Sequence, residues 1–546
     1  MLPRRESYDA LCRDFRWRIP ERFNMGVAVC DAPAARIPDR PAIIAPQENG
    51  KLETVTFARL KQASNRLANV FCAYGLSRGD RVAILLPQCP ETAIAHIAAY
   101  KAGMIAIPLS CLFRSDALSH RLHNAGARAL ITDSAGLAVL CQIRDDLPAL
   151  ETVFSIDGGG DGADSYHAAV DRTSDIFAPI DTAADDPAFI SFTSGTTGPP
   201  KGALQPHRTL LGHLPGIEFP HELFPEHDDL FWTPADWAWM GGLMDVLMPS
   251  LYHGVPVLAY RAAKFDPAEA FDLIARYRVR NAFIPPTALK MMRQVPDPHR
   301  HWDTAMRTIG SGGEALGSEL LDWGRDTFGL TINEFYGQTE CNLVIGNCAA
   351  VMPVVPGSMG RAIPGHDVAI VQDDGTPVPD GGMGHIAVRR GDPVAFLGYW
   401  NDPAATYAKF AGDWFLTGDI GVRDDAGYFH YTGRDDDVIT SAGYRIGPGE
   451  IEDCLMKHPA VALAAVVGVP DPMRTESIKA CIVLRDGMRG TDTLQQEIRD
   501  FVRGRLAAHE YPRLIEFHDS LPLTTTGKIM RRKLRDAHPA TGAPPP

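Results

Sequence analysis

The sequence contains ten cysteines but no C-x-x-C pair. That absence argues against zinc-finger and zinc-ribbon sites, and the scatter argues against a dense disulfide framework. Long apolar runs are also missing. Stretches such as Val82–Leu86 are far too short to cross a bilayer. The opening MLPRRESYDALCRDFRW has no apolar core of the secretory kind, so no signal peptide is expected. Positive charge is scarce: 53 Lys and Arg stand against 67 Asp and Glu, a formal net charge of -14. Binding to a phosphate backbone needs clustered Lys and Arg, so no nucleic-acid partner is expected. Internal repeats are absent as well. Together these point to a soluble cytoplasmic protein with reduced thiols and no stable membrane insertion. What remains is a chain of 546 residues, 45% apolar, enough for roughly three or four domain-sized units.

Residues 81–109 read as strand, turn, helix and strand, and ARALITD (127–133) supplies another strand. This alternation predicts an α/β fold around mostly parallel sheets. Between Asp157 and Asp186 the chain is rich in Gly and Asp, which reads as a surface connection. Residues 360–390 differ. There DVAIV and HIAVR are joined by turn-rich sequence, which suggests an antiparallel or barrel-like subdomain. The charged segment Arg434–Asp437 reads as a linker. A short helix near 449–457 and the strand LAAVVGV follow it, in a small α+β unit. The expected division is 1–434, 435–537 and a flexible tail at 538–546.

The stretch FISFTSGTTGPPKGALQPHR (189–208) resembles a phosphate loop but not the common one. The usual form ends G-K followed by Ser or Thr. Here Lys201 lies between Pro200 and Gly202. Thr193 reads as a strand end. Gly195, Gly198 and Gly202 permit close approach of backbone N–H groups. Ser194, Thr196 and Thr197 add hydroxyls, and Lys201 adds a positive charge. These are the parts that surround phosphate oxygens, although a plain Gly/Thr surface turn has a similar composition.

TSGTTGPPKG resembles the phosphate-loop signature of the adenylate-forming (AMP-binding) superfamily. Five further segments match in the order that family shows: GSGGEAL (310–316), EFYGQTE (334–340), WFLTGDI (414–420), YTGRDDDVITSAGYRIGPGEIE (431–452) and TTTGKIMRRKLR (524–535). One such motif is weak; six collinear ones are specific, and the resemblance covers roughly residues 30–537. It implies a large N-terminal domain of several subdomains and a small, mobile C-terminal domain. It also implies a reaction in two steps. A small carboxylic acid attacks the α-phosphate of ATP, giving an acyl adenylate and pyrophosphate. After the small domain turns, the thiol of coenzyme A attacks the acyl group and AMP leaves.

The same resemblance assigns roles to residues. The loop Thr193, Ser194, Gly195, Thr196, Thr197, Gly198 and Lys201 handles the β- and γ-phosphates. Thr339 contacts the α-phosphate, Glu340 holds Mg2+, and Tyr336 stacks on adenine. Gly312, Gly313 and Glu314 let backbone pass close to nucleotide and acyl chain. Asp419 accepts from the ribose hydroxyls, which suits an acceptor-only carboxylate, and Arg434 is a second ribose contact. Asp436 is the hinge, with Asp435 one residue away. Gly443 lets the pantetheine arm pass, and Arg445 reaches phosphate. Lys528 touches the α-phosphate and carboxylate oxygens in the first step. Such lysines are acetylated in some relatives, and homo-oligomers occur among them. Each residue also has a plainer reading. Tyr336 could be core packing, Gly443 a turn glycine, and GKIMRRKLR a basic surface run.

Trp237, Trp239, Met240 and Gly241 are, by resemblance, closest to the acyl group, in a Trp- and Met-rich stretch that suits an apolar or aromatic acid. Gly337 stands where acetyl-CoA synthetases carry tryptophan, which points to a medium-chain or aryl acid. The expected activity is therefore an acyl-CoA synthetase. The alternative is a stand-alone adenylation enzyme that loads a carrier protein. One departure stands out: the family's Y-K-x-P is replaced by HEYPRLIEF, which puts His509 and Glu510 nearby.

Overall fold

The computed structural model describes residues 1–47, 50–193, 200–260, 262, 264–435, 437–441, 444–471, 475–506, 511–524 and 528–537. Two compact units emerge. The first holds Met1–Thr193, Lys201–Val368 and Val388–Phe410; the second includes Ala369–Ala387 and the chain from Ala411.

The first unit is built on two large sheets. The eight-stranded one has Arg81–Leu85 near its centre, paired in parallel with Ile105–Pro108 and Ala129–Thr132. These short runs are buried on both faces, which is why they read as continuous apolar sequence rather than alternation. The helix Pro90–Lys101 buries every residue except Glu91. Even Lys101 is fully buried. Its ammonium lies 2.6 Å from an Asp31 carboxylate oxygen, and it donates to Ser64 and Asn65 at 2.9 Å each. A charge taken out of water needs such partners, and three oxygens supply them. At one edge, Pro187–Phe192 turns back into Gly202–Pro206 as an antiparallel pair, and Gly398–Tyr399 adds outside it. The nine-stranded sheet carries Thr308–Gly312 and Asn333–Tyr336 side by side in parallel.

In the second unit, the region expected to be antiparallel or barrel-like is a five-stranded sheet. Its members include Val368–Val371, Met383–Arg389, Trp414–Arg423 and Phe429–Arg434. A further five-stranded sheet holds Val461–Asp471 against Thr475–Leu484. The helix Asp492–Arg503 covers its own core with Leu494, Ile498 and Val502, spaced four apart on one face. The Thr491 hydroxyl accepts from the Leu494 N–H and caps that helix. The short helix expected near 449–457 is Pro448–Met456. Among the described residues no helix is long and apolar enough to cross a membrane.

Gly360, at the edge of the nine-stranded sheet, has φ +103, and a Cβ there would stand 2.1 Å from the Gly346 carbonyl oxygen. Gly360→Ala should therefore cost about 2–4 kcal/mol, through strained backbone and a backbone clash together. A thermal midpoint equal to that of the parent would contradict this packing.

Candidate active site

The phosphate-loop motif lies between two paired strands, Pro187–Phe192 and Gly202–Pro206. Its base is closed twice: the Thr193 N–H donates to the Lys201 carbonyl at 2.9 Å, and the Lys201 N–H donates to the Thr193 hydroxyl at 3.1 Å. Ser194, Gly195, Thr196, Thr197 and Gly198 lie outside the described residues.

Beyond the motif, the outgoing arm Gly202–Pro206 is bound to the segment 397–400. The Leu397 N–H donates to Leu204 O at 2.8 Å, and the Trp400 N–H to Gly202 O at 2.7 Å. Tyr399 is thereby fixed beside Lys201, whose ammonium stands 5.2 Å from the ring centroid. The Tyr399 hydroxyl donates to Glu340 Oε1 at 2.5 Å. Glu340 is buried, and its carbonyl accepts from the Phe396 N–H at 2.9 Å. The Thr339 carbonyl accepts from the Gln205 side chain at 2.6 Å. Gln205 in turn accepts from the Thr209 hydroxyl at 3.1 Å. Lys201, Thr339 and Glu340 are thus gathered around one strand arm. The sequence reading missed Gln205 and Tyr399; the Gly398-Tyr399-Trp400 triplet, an aromatic pair behind a glycine, was the available signal.

The loop after Glu340 is anchored from inside. The Asn342 amide faces Asp245 Oδ1 and, at 2.6 Å, His213 Nε2. His213 Nδ1 lies 3.0 Å from Thr209 O, so Nδ1 carries the proton and Nε2 accepts. Burial holds His213 neutral, its pKa pushed down to about 3. Burial also pushes Asp245 up to about 8, against the opposing hydrogen bond from Asn342. A Cβ on Gly337 would meet Leu343 N at 2.0 Å. The direction that glycine leaves open is therefore filled by the 342–343 backbone, and a tryptophan there would displace the chain as well as alter a pocket.

Tyr336 ends its strand half-buried. Gly312 abuts Phe335, whose ring would lie 2.5 Å from an added Cβ. Gly313 has φ +91 with open space around it. Glu314 accepts from the Thr287 hydroxyl at 2.9 Å. On the acyl stretch, Asp236 accepts from the Ser110 hydroxyl at 2.7 Å and from the Ala238 N–H at 3.0 Å, which fixes the turn. Trp237 is fully buried, whereas Trp239 is half-buried and edge-on to Phe113 at 5.7 Å. Met240 is buried, and an added Cβ on Gly241 would lie 2.6 Å from the Phe283 ring.

In the second unit, strand register sets Asp419 opposite Arg434, and Arg434 Nη1 donates to Asp419 Oδ1 at 3.1 Å. Lys528 is exposed and bonded to Thr524. Its N–H donates to the Thr524 hydroxyl at 3.0 Å, and the Thr524 N–H donates to its carbonyl at 2.7 Å. The basic run behind it is partly engaged: Arg531 bonds Glu452 at 2.6 Å, and Arg535 pairs with Asp437 at 3.1 Å. Asp436 and Gly443 lie outside the described residues, as do His509 and Glu510. Arg445 contributes backbone to strand Tyr444–Ile446, and its side chain is outside the description.

Comparison with known proteins identifies the family. Residues 30–400 match the AMP-binding enzyme family, and residues 450–528 match the AMP-binding enzyme C-terminal domain. The acetyl-coenzyme A synthetase of Bacillus subtilis (strain 168) is 36% identical over 491 residues, 88% of this chain and 85% of that protein. The mitochondrial acyl-coenzyme A synthetase ACSM2B of Homo sapiens is 33% identical over 534 residues, 95% of this chain and 91% of that one. The anthranilate CoA ligase AuaEII in complex with anthranoyl-AMP superposes with a TM-score of 0.85 at 28% identity, covering 95% of this chain and 98% of that structure. The chain belongs to the AMP-binding enzyme family. Within it, the chain falls in the acyl-CoA synthetase branch, as an ATP-dependent, AMP-forming acid–CoA ligase.

Folding raises the affinity of Asp245 for its proton. Between pH 4 and 8 the folded chain therefore holds more protons than the unfolded one, and stability falls as pH rises, by at most about 1.4 kcal/mol per pH unit from this group. Asp245→Asn keeps an oxygen acceptor for Asn342 and removes the titration. From pH 5 to 8 the thermal midpoint of the parent should decline more steeply than that of the variant; parallel declines would contradict the assignment.

Proposed function

We propose that this enzyme activates a medium-chain or aromatic carboxylic acid, with Lys201, Thr339 and Glu340 handling the phosphates. Asp419 and Arg434 hold the ribose, Tyr336 stacks on adenine, and Lys528 assists the first half-reaction. The observation that carries the reading is the cluster on Tyr399: an ammonium over its ring, and a buried carboxylate on its hydroxyl.

Magnesium fits that carboxylate. Among the described residues no group of three or more His, Cys, Asp or Glu is arranged to hold a metal ion. One carboxylate plus substrate phosphates and water is the usual magnesium arrangement. When bound there, magnesium supplies charge neutralisation for the departing pyrophosphate. Glu340 contributes a fixed hard oxygen toward it. Lys201 offers a second cation.

Asp419 is an acceptor-only carboxylate, the chemistry a ribose diol calls for. Lys528 is exposed, and a long exposed side chain can enter or leave a site. Near 4 Å at an effective dielectric of about 20, one charge pair is worth roughly 4 kcal/mol before desolvation, enough to matter where two anions must meet. We place the division between the adenylate-forming and mobile parts at 434/435, with Asp436 as the hinge. Phe113, Trp239, Met240 and Phe283 support an apolar acid. The enzyme is taken to act in the cytoplasm.

Two measurements test this. In a panel of acids with ATP and CoA, medium-chain and aryl acids should exceed acetate by about tenfold or more in kcat/KM; acetate as the best substrate would overturn the acid class. Lys528→Ala should lower acid-dependent adenylate formation by about 100-fold or more, yet still convert a supplied acyl adenylate and CoA to acyl-CoA and AMP. Equal loss in both half-reactions would remove the role given to Lys528.

A further inference from the structure

Two opposite charges share one aromatic side chain. Lys201 Nζ lies 5.2 Å from the Tyr399 ring centroid, and the Tyr399 hydroxyl lies 2.5 Å from Glu340 Oε1. An ammonium and a carboxylate this near to one ring would gain by meeting directly, yet among the described residues no ion pair joins them. A direct pair would occupy the two groups that arriving phosphates and a cation require.

Tyr399 can keep them apart because its own position is fixed. Its strand pairs with the arm after the phosphate loop, and its N–H donates to the Thr406 hydroxyl at 2.8 Å. Its ring packs edge-on to Phe396 at 5.1 Å, and the residue is only 9% exposed. The ring face attracts the ammonium through its quadrupole without neutralising it. The hydroxyl has a single proton to give. It fixes one carboxylate oxygen and leaves the other for a cation.

We propose that Tyr399 is a positioning residue. It holds Glu340 in the rotamer that receives the magnesium of the ATP complex, and it spaces Lys201 from that carboxylate. The inference rests on the reading of Glu340 as the magnesium-facing carboxylate. It adds the group that makes this carboxylate available, and the requirement that a neutral donor, rather than a cation, do so.

The test is the magnesium-linked part of ATP binding, read by calorimetry without turnover. Kd for ATP is measured in excess magnesium and in EDTA for the parent, Tyr399→Phe and Glu340→Gln, with thermal midpoints as a control. Phenylalanine keeps the ring and removes only the hydroxyl. Tyr399→Phe should shrink the magnesium-dependent gain in affinity about tenfold, with the EDTA value and the midpoint unchanged. Glu340→Gln should shrink it at least as much. If Glu340→Gln removes the gain and Tyr399→Phe does not, the positioning role is overturned while Glu340 keeps its own. If Glu340→Gln leaves the gain intact, the reading of Glu340 fails, and the inference with it. A Tyr399→Phe variant that loses EDTA affinity or thermal midpoint to the same degree would show a general structural role and also overturn the proposal.

Discussion

The pairing of the arm Gly202–Pro206 with strands on both sides is the constraint on which the site in the first unit depends. One neighbour, Pro187–Phe192, pairs antiparallel with the arm and fixes where the chain enters and leaves the phosphate-loop motif. The other, Gly398–Tyr399, brings a tyrosine against the cation that closes that motif. From the same arm, Gln205 reaches the Thr339 carbonyl. Backbone hydrogen bonds are directional and close to obligatory in a buried sheet, so the register that folds the arm also sets the spacing of cation, hydroxyl and carboxylate.

A second theme is the use of neutral groups to hold charged ones. The Glu340 carboxylate is met by a phenol, while its backbone carbonyl accepts from the Phe396 N–H. Asp245, deep behind the same loop, is kept protonated by burial and met by an amide, while His213 beside it is kept neutral. Buried ion pairs would fix these groups more firmly, but they would also satisfy charges that ligands need. The second unit differs. There Arg531 and Arg535 pair directly with Glu452 and Asp437, which ties the segment behind Lys528 to its own body and leaves the lysine exposed.

The fold class was legible in short apolar runs such as RVAIL and MIAIP, because strands buried on both faces must be continuously apolar. The strand end before the phosphate loop was legible because glycine and proline follow it, whereas the return strand Gly202–Pro206 was not. Gln205 and Tyr399 were not: the Gly398-Tyr399-Trp400 triplet marks an aromatic position, but the roles of both residues arise from strand pairing across about two hundred residues. The Asp245–Asn342–His213 cluster was hidden for the same reason: each residue sits in an apolar or unremarkable stretch, and only packing makes them one network. Gly337 was noticed, but for the space it leaves beside a pocket. Its neighbours show that the chain itself crosses there at 2.0 Å from an added Cβ.

An AMP-forming acid–CoA ligase cuts ATP between its first and second phosphates, and an oxygen of the acid ends on the first. The most direct measurement follows that oxygen. With the carboxylate labelled by oxygen-18 and CoA present to complete turnover, one labelled oxygen should appear in the phosphate of AMP, with none in pyrophosphate. Label in orthophosphate or pyrophosphate, or unlabelled AMP formed alongside acyl-CoA, would contradict it.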